Sequence, residues 1–269
     1  MWTDEMFGVK KPIIAMLHLR ALPGDPLYED GTGIDRVAEL ASEELLALQE
    51  GGVDGILIAN EFSLPYEKQI SPVALASFAY IVGRIRADIV LPFGVNIAHN
   101  AIETIDLAAA TGAQFVRNAF TGAYAGEYGI VDTDVSAALR RKKYLGLKDL
   151  KLFFKANPEG DVFIADKPIE AVTKSIVFSC APDALCASGS SAGSETDSEI
   201  IKRIKSAAGS VPVFANTGCT MENIAEKLSI CDGAVVGTAF KEDGRFAGRA
   251  DARRVKEFMD VVKDYRRTL

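Results

Sequence analysis

The chain is poor in the residue types that announce chemistry most directly: its 269 residues include two histidines, four cysteines and one tryptophan. His18 and His99 cannot make a three-histidine zinc site, and no H-x-H or H-E-x-x-H pattern occurs. Cys180, Cys186, Cys219 and Cys231 form no C-x-x-C pair and stand among apolar or small residues, the setting of buried free thiols in a reducing cytosol. Disulfides and a thiolate zinc site are not expected. Long hydrophobic runs are missing too. Gly, Asn, Lys or Asp interrupts every apolar stretch within about eight residues, short of the roughly 18 that a membrane span needs, so integral membrane insertion is excluded. Residues 1–11 alternate charged and apolar types and lack the apolar core of a secretory signal, so a cytoplasmic protein is expected. Neither G-x-S-x-G nor G-x-x-x-x-G-K-[ST] is present, which leaves α/β-hydrolase and P-loop nucleotide chemistry without their motifs.

Positive charge is also short. Thirty basic residues against thirty-seven acidic ones leave a net charge of -7, a surface that repels nucleic-acid phosphates. What the chain has is 48% hydrophobic and 25% charged residues with no linker-like shift in composition, the profile of one globular domain over 1–269.

Short β-branched apolar runs lie at 12–19, 55–60, 91–98, 115–120, 151–157, 184–189, 211–218 and 233–240. Helical patterns fall near 34–50, 72–87, 100–111, 133–146, 166–178, 197–208, 221–229 and 251–266. Thr220 and Asp197 are candidate caps, and Gly51, Gly112 and Gly209 candidate stops. Eight strict β-α units with strands apolar throughout argue for a parallel sheet buried on both faces and closed on itself, a TIM (β/α)8 barrel.

Barrel strands carry their chemistry at their C-terminal ends on inward positions. With charge kept off the helix-facing side, the last inward residues are His18, Asn60, Asn96, Arg117, Lys155, Ser188, Asn216 and Thr238. Each by itself fits a capping or loop-anchoring role as well as a catalytic one. Together they describe a polar mouth in which Arg117 and Lys155 need a carboxylate, a bound anion or water, because an unpaired buried ion costs several kcal/mol. Lys155 fits either an anion anchor or a Schiff-base lysine of lowered pKa. His18 and Glu61 form a candidate acid-base couple.

Asn216-Thr217-Gly218-Cys219-Thr220 and Gly237-Thr238 sit where barrels often bind phosphate, and Ser188, Gly189, Ser190 and Ser191 could add donors. The same glycines also serve tight turns. No cofactor is required, although a Mg²⁺ ion bridging substrate phosphate to Glu61 or Asp54 is compatible with the residues. Tyr124 and Tyr128, with Gly122, Gly126 and Gly129 as hinges, are read either as a ligand cover or as an ordinary solvent loop. The cations of the last helix, Arg253, Arg254, Lys256, Arg266 and Arg267, alternate with acids and read as a solvated face.

Met16-Leu17-His18-Leu19, Leu22-Pro23-Gly24-Asp25-Pro26, Gly51-Gly52-Val53-Asp54-Gly55, Gly94-Val95-Asn96 and Gly233-Ala234-Val235-Val236-Gly237-Thr238 resemble, in that order along the chain, the BtpA/SgcQ family. The resemblance implies a phosphate-binding TIM barrel, with His18, Asn60, Asn96, Arg117, Asn118 and Lys155 at the family's polar positions. It implies no single activity. One branch is linked to photosystem I biogenesis and stability, the SgcQ-like branch to sugar uptake and metabolism, with a nucleoside triphosphatase label that no motif here supports. The chain departs from the family pattern at His99-Asn100-Ala101, Lys155-Ala156 and Asn216-Thr217-Gly218, where relatives read Arg-Asn-Asp, Lys-His and Gly-Ser-Gly.

The leading expectation is a cytosolic enzyme of lyase or isomerase type acting on a small phosphorylated metabolite such as a sugar phosphate. The alternative is a non-catalytic assembly or stability factor. A metal-dependent hydrolase ranks last on ligand count. Homo-oligomerisation is a base-rate expectation only.

Overall fold

A computed structural model describes residues 1–189 and 194–269. Its strands are β1 Ile13–His18, β2 Gly55–Ala59, β3 Phe93–Asn96, β4 Phe115–Asn118, β5 Ala123–Gly126, β6 Gly129–Asp132, β7 Lys151–Lys155, β8 Val162–Phe163, β9 Ala184–Ala187, β10 Val213–Ala215 and β11 Gly233–Val236. The helices are α1 Trp2–Phe7, α2 Ile34–Glu50, α3 Pro72–Ile85, α4 Ala101–Thr111, α5 Val135–Tyr144, α6 Ile169–Cys180, α7 Ser198–Ala208, α8 Ile224–Ile230 and α9 Ala252–Arg266. Strands β1-β2-β3-β4-β7-β9-β10-β11 close into a parallel barrel, β11 pairing back onto β1. The expected (β/α)8 barrel is the fold.

Alternation sorts the apolar side chains into two cores. Ile14, Met16, Leu57, Ala59, Phe115, Phe153, Cys186, Phe214 and Val235 fill the interior of the barrel, while Ile13, Leu17, Ile56, Ile58, Val116 and Phe154 pack outward under the helices. The helices meet them with stripes at three- and four-residue spacing, such as Val37, Ala41, Leu45 and Leu48 on α2 and Val255, Phe258, Met259 and Val262 on α9. Ser71, Asp134, Asp197 and Asp251 cap α3, α5, α7 and α9 by accepting first-turn amides. Thr220 is not a helix cap: α8 starts later, with Asn223 as its N-cap, and the Thr220 N–H donates to Asn223 Oδ1 (2.8 Å).

The first eleven residues are more than an alternating tail. Residues of α1 close the floor of the barrel, Trp2 meeting Phe153 edge-on at 5.7 Å and Phe7 meeting Phe115 at 5.8 Å. Along that floor one device recurs, in which the side chain of the residue just before a strand accepts from an amide in the first two residues of the neighbouring strand. The N–H groups of Ile13, Phe93, Leu152 and Val213 donate to Asp54 (2.7 Å), Gln114 (3.1 Å), Asp183 (2.9 Å) and Asp232 (2.8 Å). Asp54 is also ion-paired with Arg266 of α9. It therefore belongs to the floor and cannot hold a Mg²⁺ ion at the mouth, contrary to the sequence expectation.

The loop after β4 is not an ordinary solvent loop. Its residues form the antiparallel hairpin β5-β6, with Glu127-Tyr128 at the turn and Gly126 opposite Gly129, and β8 from the loop after β7 adds a third strand. Gly126 and Gly129 are paired strand ends rather than free hinges, and Tyr124 is buried edge-on against Phe163 at 5.1 Å.

Asp54→Ala removes the acceptor for Ile13 N–H and the carboxylate partner of Arg266, whose guanidinium keeps its hydrogen bond to Lys11 O (2.9 Å). We expect a loss of about 2–3 kcal/mol, read as a lower urea midpoint at unchanged slope.

Candidate active site

The inward parity set by the apolar residues decides which polar side chains enter the mouth. His18 follows Ile14 and Met16, Arg117 follows Phe115, Lys155 follows Phe153, Ser188 follows Cys186 and Asn216 follows Phe214, all as expected; Asn96 is buried and lines the mouth. Two expectations fail. With Leu57 and Ala59 inward, the next inward residue after β2 is Glu61, and Asn60 instead accepts the Ala98 amide (3.0 Å), tying down the loop after β3. With Val235 inward, Gly237 takes the inward position of β11, and Thr238 stands at the lip in a 3-10 turn. Both strands are apolar on both parities, with Ile56 and Ile58 beside Leu57 and Ala59, and Ala234 and Val236 beside Val235, so the chain leaves the inward face open there and closure of the barrel decides it. Asn118, on the outer parity, donates to Ile97 O (2.8 Å) and Thr104 Oγ1 (3.1 Å) and locks α4 onto the sheet.

The mouth has two lobes. A cavity of about 300 Å³ lies toward β1, β10 and β11, lined by His18, Arg117, Asn216–Glu222, Gly237–Ala239 and Arg254. A second, of about 600 Å³, lies toward β3, β4 and β7, lined by Asn96, His99, Lys155, Asp161 and the tyrosines Tyr66, Tyr124 and Tyr128. Glu61, Glu159, Thr238 and Phe246 belong to both.

Two ion pairs occupy the wall between the lobes. Arg117 donates from Nη1 to Asn216 Oδ1 (2.7 Å) and lies 3.5 Å from Glu61 Oε1 through Nη2, while its buried Nε has no hydrogen-bond partner among the described residues. Lys155 Nζ is 3.4 Å from Glu159 Oε1. The same Glu159 oxygen accepts from Asn216 Nδ2 and from Ser188 Oγ (3.3 Å), and Asn216 Nδ2 also reaches Ser188 Oγ (3.0 Å). Tyr66 donates to Glu61 Oε2 (2.9 Å), and burial beside that carboxylate raises the phenol's pKa. Glu159 and Tyr66 were absent from the sequence reading. The only local signal for Glu159 is its place four residues after Lys155, in a loop where no helix gives that spacing meaning.

His18 and Glu61 do not form the expected couple. Glu61 is engaged by Arg117 and Tyr66, and the charges around the imidazole are mostly cationic. Burial, reinforced by Lys241, Arg117 and Arg20, drives the His18 pKa well below its ordinary value, and Nδ1 has no hydrogen-bond partner among the described residues. The ring lies 5.3 Å from Phe246 and is neutral at physiological pH. His99 is also shifted downward, by burial and then by Lys155.

The expected phosphate loops are partly spent on one another. Gly189 N–H donates to Thr217 Oγ1 (2.6 Å), Ser188 N–H to Asn157 Oδ1 (2.9 Å) and Asn216 N–H to Ala187 O (2.9 Å). Neither Ser188 nor Gly189 lines a lobe; Thr217, Gly218, Thr220, Gly237 and Thr238 do. Ser190 and Ser191 lie outside the described residues. Arg254, read from sequence as part of a solvated face, instead lines the smaller lobe and donates from Nε to Ala239 O (3.4 Å). Among the described residues, no three His, Cys, Asp or Glu side chains gather as a metal site. All four cysteines are free and buried.

The two histidines generate a pH prediction. Free imidazole is half protonated near pH 6.5, so on acidification through that value the unfolded chain binds protons that the folded chain excludes. Stability should be insensitive to these groups above pH 6.5 and fall as the pH drops toward their lowered folded values. The check is NMR of the ring Cε1 protons, which should report both rings mainly neutral at pH 6.5, together with urea melts in which His18→Gln weakens the acid dependence.

The chain matches the model of the BtpA family over residues 9–264. It is 46% identical over 266 residues to the sgc region protein SgcQ of Escherichia coli (strain K12), covering 99% of each chain. It is 30% identical to the photosystem I biogenesis protein BtpA of Synechocystis sp., over 97% of this chain and 91% of that one. Among solved structures it resembles the native KDPGal structure (18% identity, TM-score 0.58, 94% of this chain and 95% of that one) and phosphoribosyl anthranilate isomerase from Thermococcus kodakaraensis (14%, 0.55, 94% and 99%). Those structural likenesses speak to the barrel alone, whereas the sequence matches run nearly end to end, and the protein is a member of the BtpA family.

Proposed function

We propose that the protein is an enzyme acting on a small phosphorylated metabolite of the sugar-phosphate class, by proton-transfer chemistry of lyase or isomerase type. The observation that carries this reading is the pairing of Glu61 with Arg117 and of Glu159 with Lys155 on the wall shared by two lobes. Removing a proton beside a carbonyl needs a base and a positive group that stabilises the oxyanion as it forms. Glu159 is the base in this reading. It is poised between Lys155 and the Asn216 amide, and it replaces the His18-Glu61 couple that sequence suggested.

Lys155 and Arg117 stabilise the developing negative charge, and neutral His18 acts through hydrogen bonding alone. The phosphate lies in the smaller lobe, against Thr217–Thr220, Gly237 and Thr238, with Arg254 as its cation. No metal is required for these steps.

Lys155→Met should abolish turnover of a sugar-phosphate substrate while leaving the circular dichroism spectrum and melting temperature close to those of the parent. Retained turnover would remove Lys155 from the mechanism. In a thermal-shift series, a phosphorylated ligand at 100 times its Kd adds about 2.7 kcal/mol, or roughly 5–10 °C for a chain of this size, and its unphosphorylated parent adds less. A series in which no compound shifts the melt at millimolar concentration would favour the assembly-factor reading.

A further inference from the structure

The larger lobe is built unlike the smaller one. Three of its rings touch one another: Tyr66 lies 5.7 Å from His99 and 5.4 Å from Tyr128, and His99 lies 5.5 Å from Tyr128. His99 reaches this cluster from a left-handed backbone conformation (φ 61°). Four carboxylates line the lobe, Glu61, Glu127, Glu159 and Asp161, against the single cation Lys155. Glu61 and Glu159 are already matched by Arg117 and Lys155, whereas Glu127 and Asp161 form no ion pair among the described residues. Lys68 is the other cation nearby, with Nζ against Gly129 at the edge of the hairpin.

Asp161 is held at the lobe by the chain itself. β8 begins at the next residue and pairs with β5, and Gly126 leaves the space its carboxylate occupies, since a side chain there would overlap it. Two carboxylates without ion pairs, lining one cavity with three aromatic rings, repel a second anionic group and favour a cation, because ring faces carry negative potential and attract ammonium ions. Burial and then Lys155 lower the His99 pKa, which disfavours a competing positive charge there.

The geometry points to an ammonium subsite in the larger lobe, formed by Tyr66, Tyr128, Glu127 and Asp161, so that the substrate is an aminated sugar phosphate with its phosphate in the smaller lobe and its amine among the tyrosines. The assignment of the phosphate end rests on the function proposed above; the amine end stands on the larger lobe alone.

The test is calorimetric binding of four probes at pH 6.5: glucose, glucosamine, glucose 6-phosphate and glucosamine 6-phosphate. We expect each amine to bind at least tenfold more tightly than its hydroxyl counterpart. The preference should fall in Glu127→Gln, whose side chain is exposed and whose fold is not at risk, and in Asp161→Asn. Glucosamine should also move the His99 ring resonances and leave those of His18 in place. Amine preference without phosphate preference would uphold the subsite and overturn the phosphate reading. Phosphate preference without amine preference would do the reverse, and equal binding of all four, or none, would overturn both.

Discussion

Arg117 is an arginine almost wholly enclosed at the top of a barrel, and the mouth is arranged around that charge. Its guanidinium spans from Glu61, beyond β2, to Asn216, beyond β10, so that one side chain joins opposite sectors of the barrel. A buried guanidinium left unmatched would cost several kcal/mol. Glu61 therefore has to sit on the inward parity, and the Asn216 amide has to present its oxygen to Arg117, which turns its nitrogen toward Glu159 and Ser188. Glu159 is held by that amide and by Lys155, whose own inward position follows from the alternation of β7. Charge compensation and the placing of Glu61 and Glu159 are one constraint.

The mouth is rigid below and built from loops above. Its floor is pinned by carboxylate and amide acceptors at the bottoms of alternate strand pairs, and its lower interior is plugged by α1 and a layer of phenylalanines. At the rim, the hairpin β5-β6 with β8 walls the larger lobe, while the turns after β10 and β11 wall the smaller one. The strands fix the inward positions of Arg117 and Lys155, while Glu61, Glu159 and the rest of the lobe walls come from segments whose lengths the barrel does not dictate.

The barrel was legible because its signals are local. Eight apolar runs separated by amphipathic segments leave little freedom once right-handed crossovers are required, and most of the expected helices form within two or three residues of their expected ends. Inward parity was legible at His18, Arg117, Lys155, Ser188 and Asn216, as in Ile14-x-Met16-x-His18. It misled at Asn60 and Thr238, where a polar residue lies beside the lip and one step off the alternation. The hairpin after β4 is local, but its three glycines make the segment read equally as a loop, and β8, the strand that completes its sheet, lies about thirty residues further on, where no local pattern records the pairing.

Sequence by itself determined the fold class, the family and the presence of Arg117, Lys155, His18 and Asn216 at one end of the barrel, since alternation and strand order are enough to bring those positions together. Tertiary structure alone decided which charges meet. It gave Glu61 to Arg117 and Tyr66 rather than to His18, brought Glu159 onto Lys155, sent Asp54 to the floor and turned Arg254 toward the smaller lobe. The reason is that pairing energies depend on distance and burial, quantities set by loop paths and closure of the sheet, and these have no periodic trace in the chain.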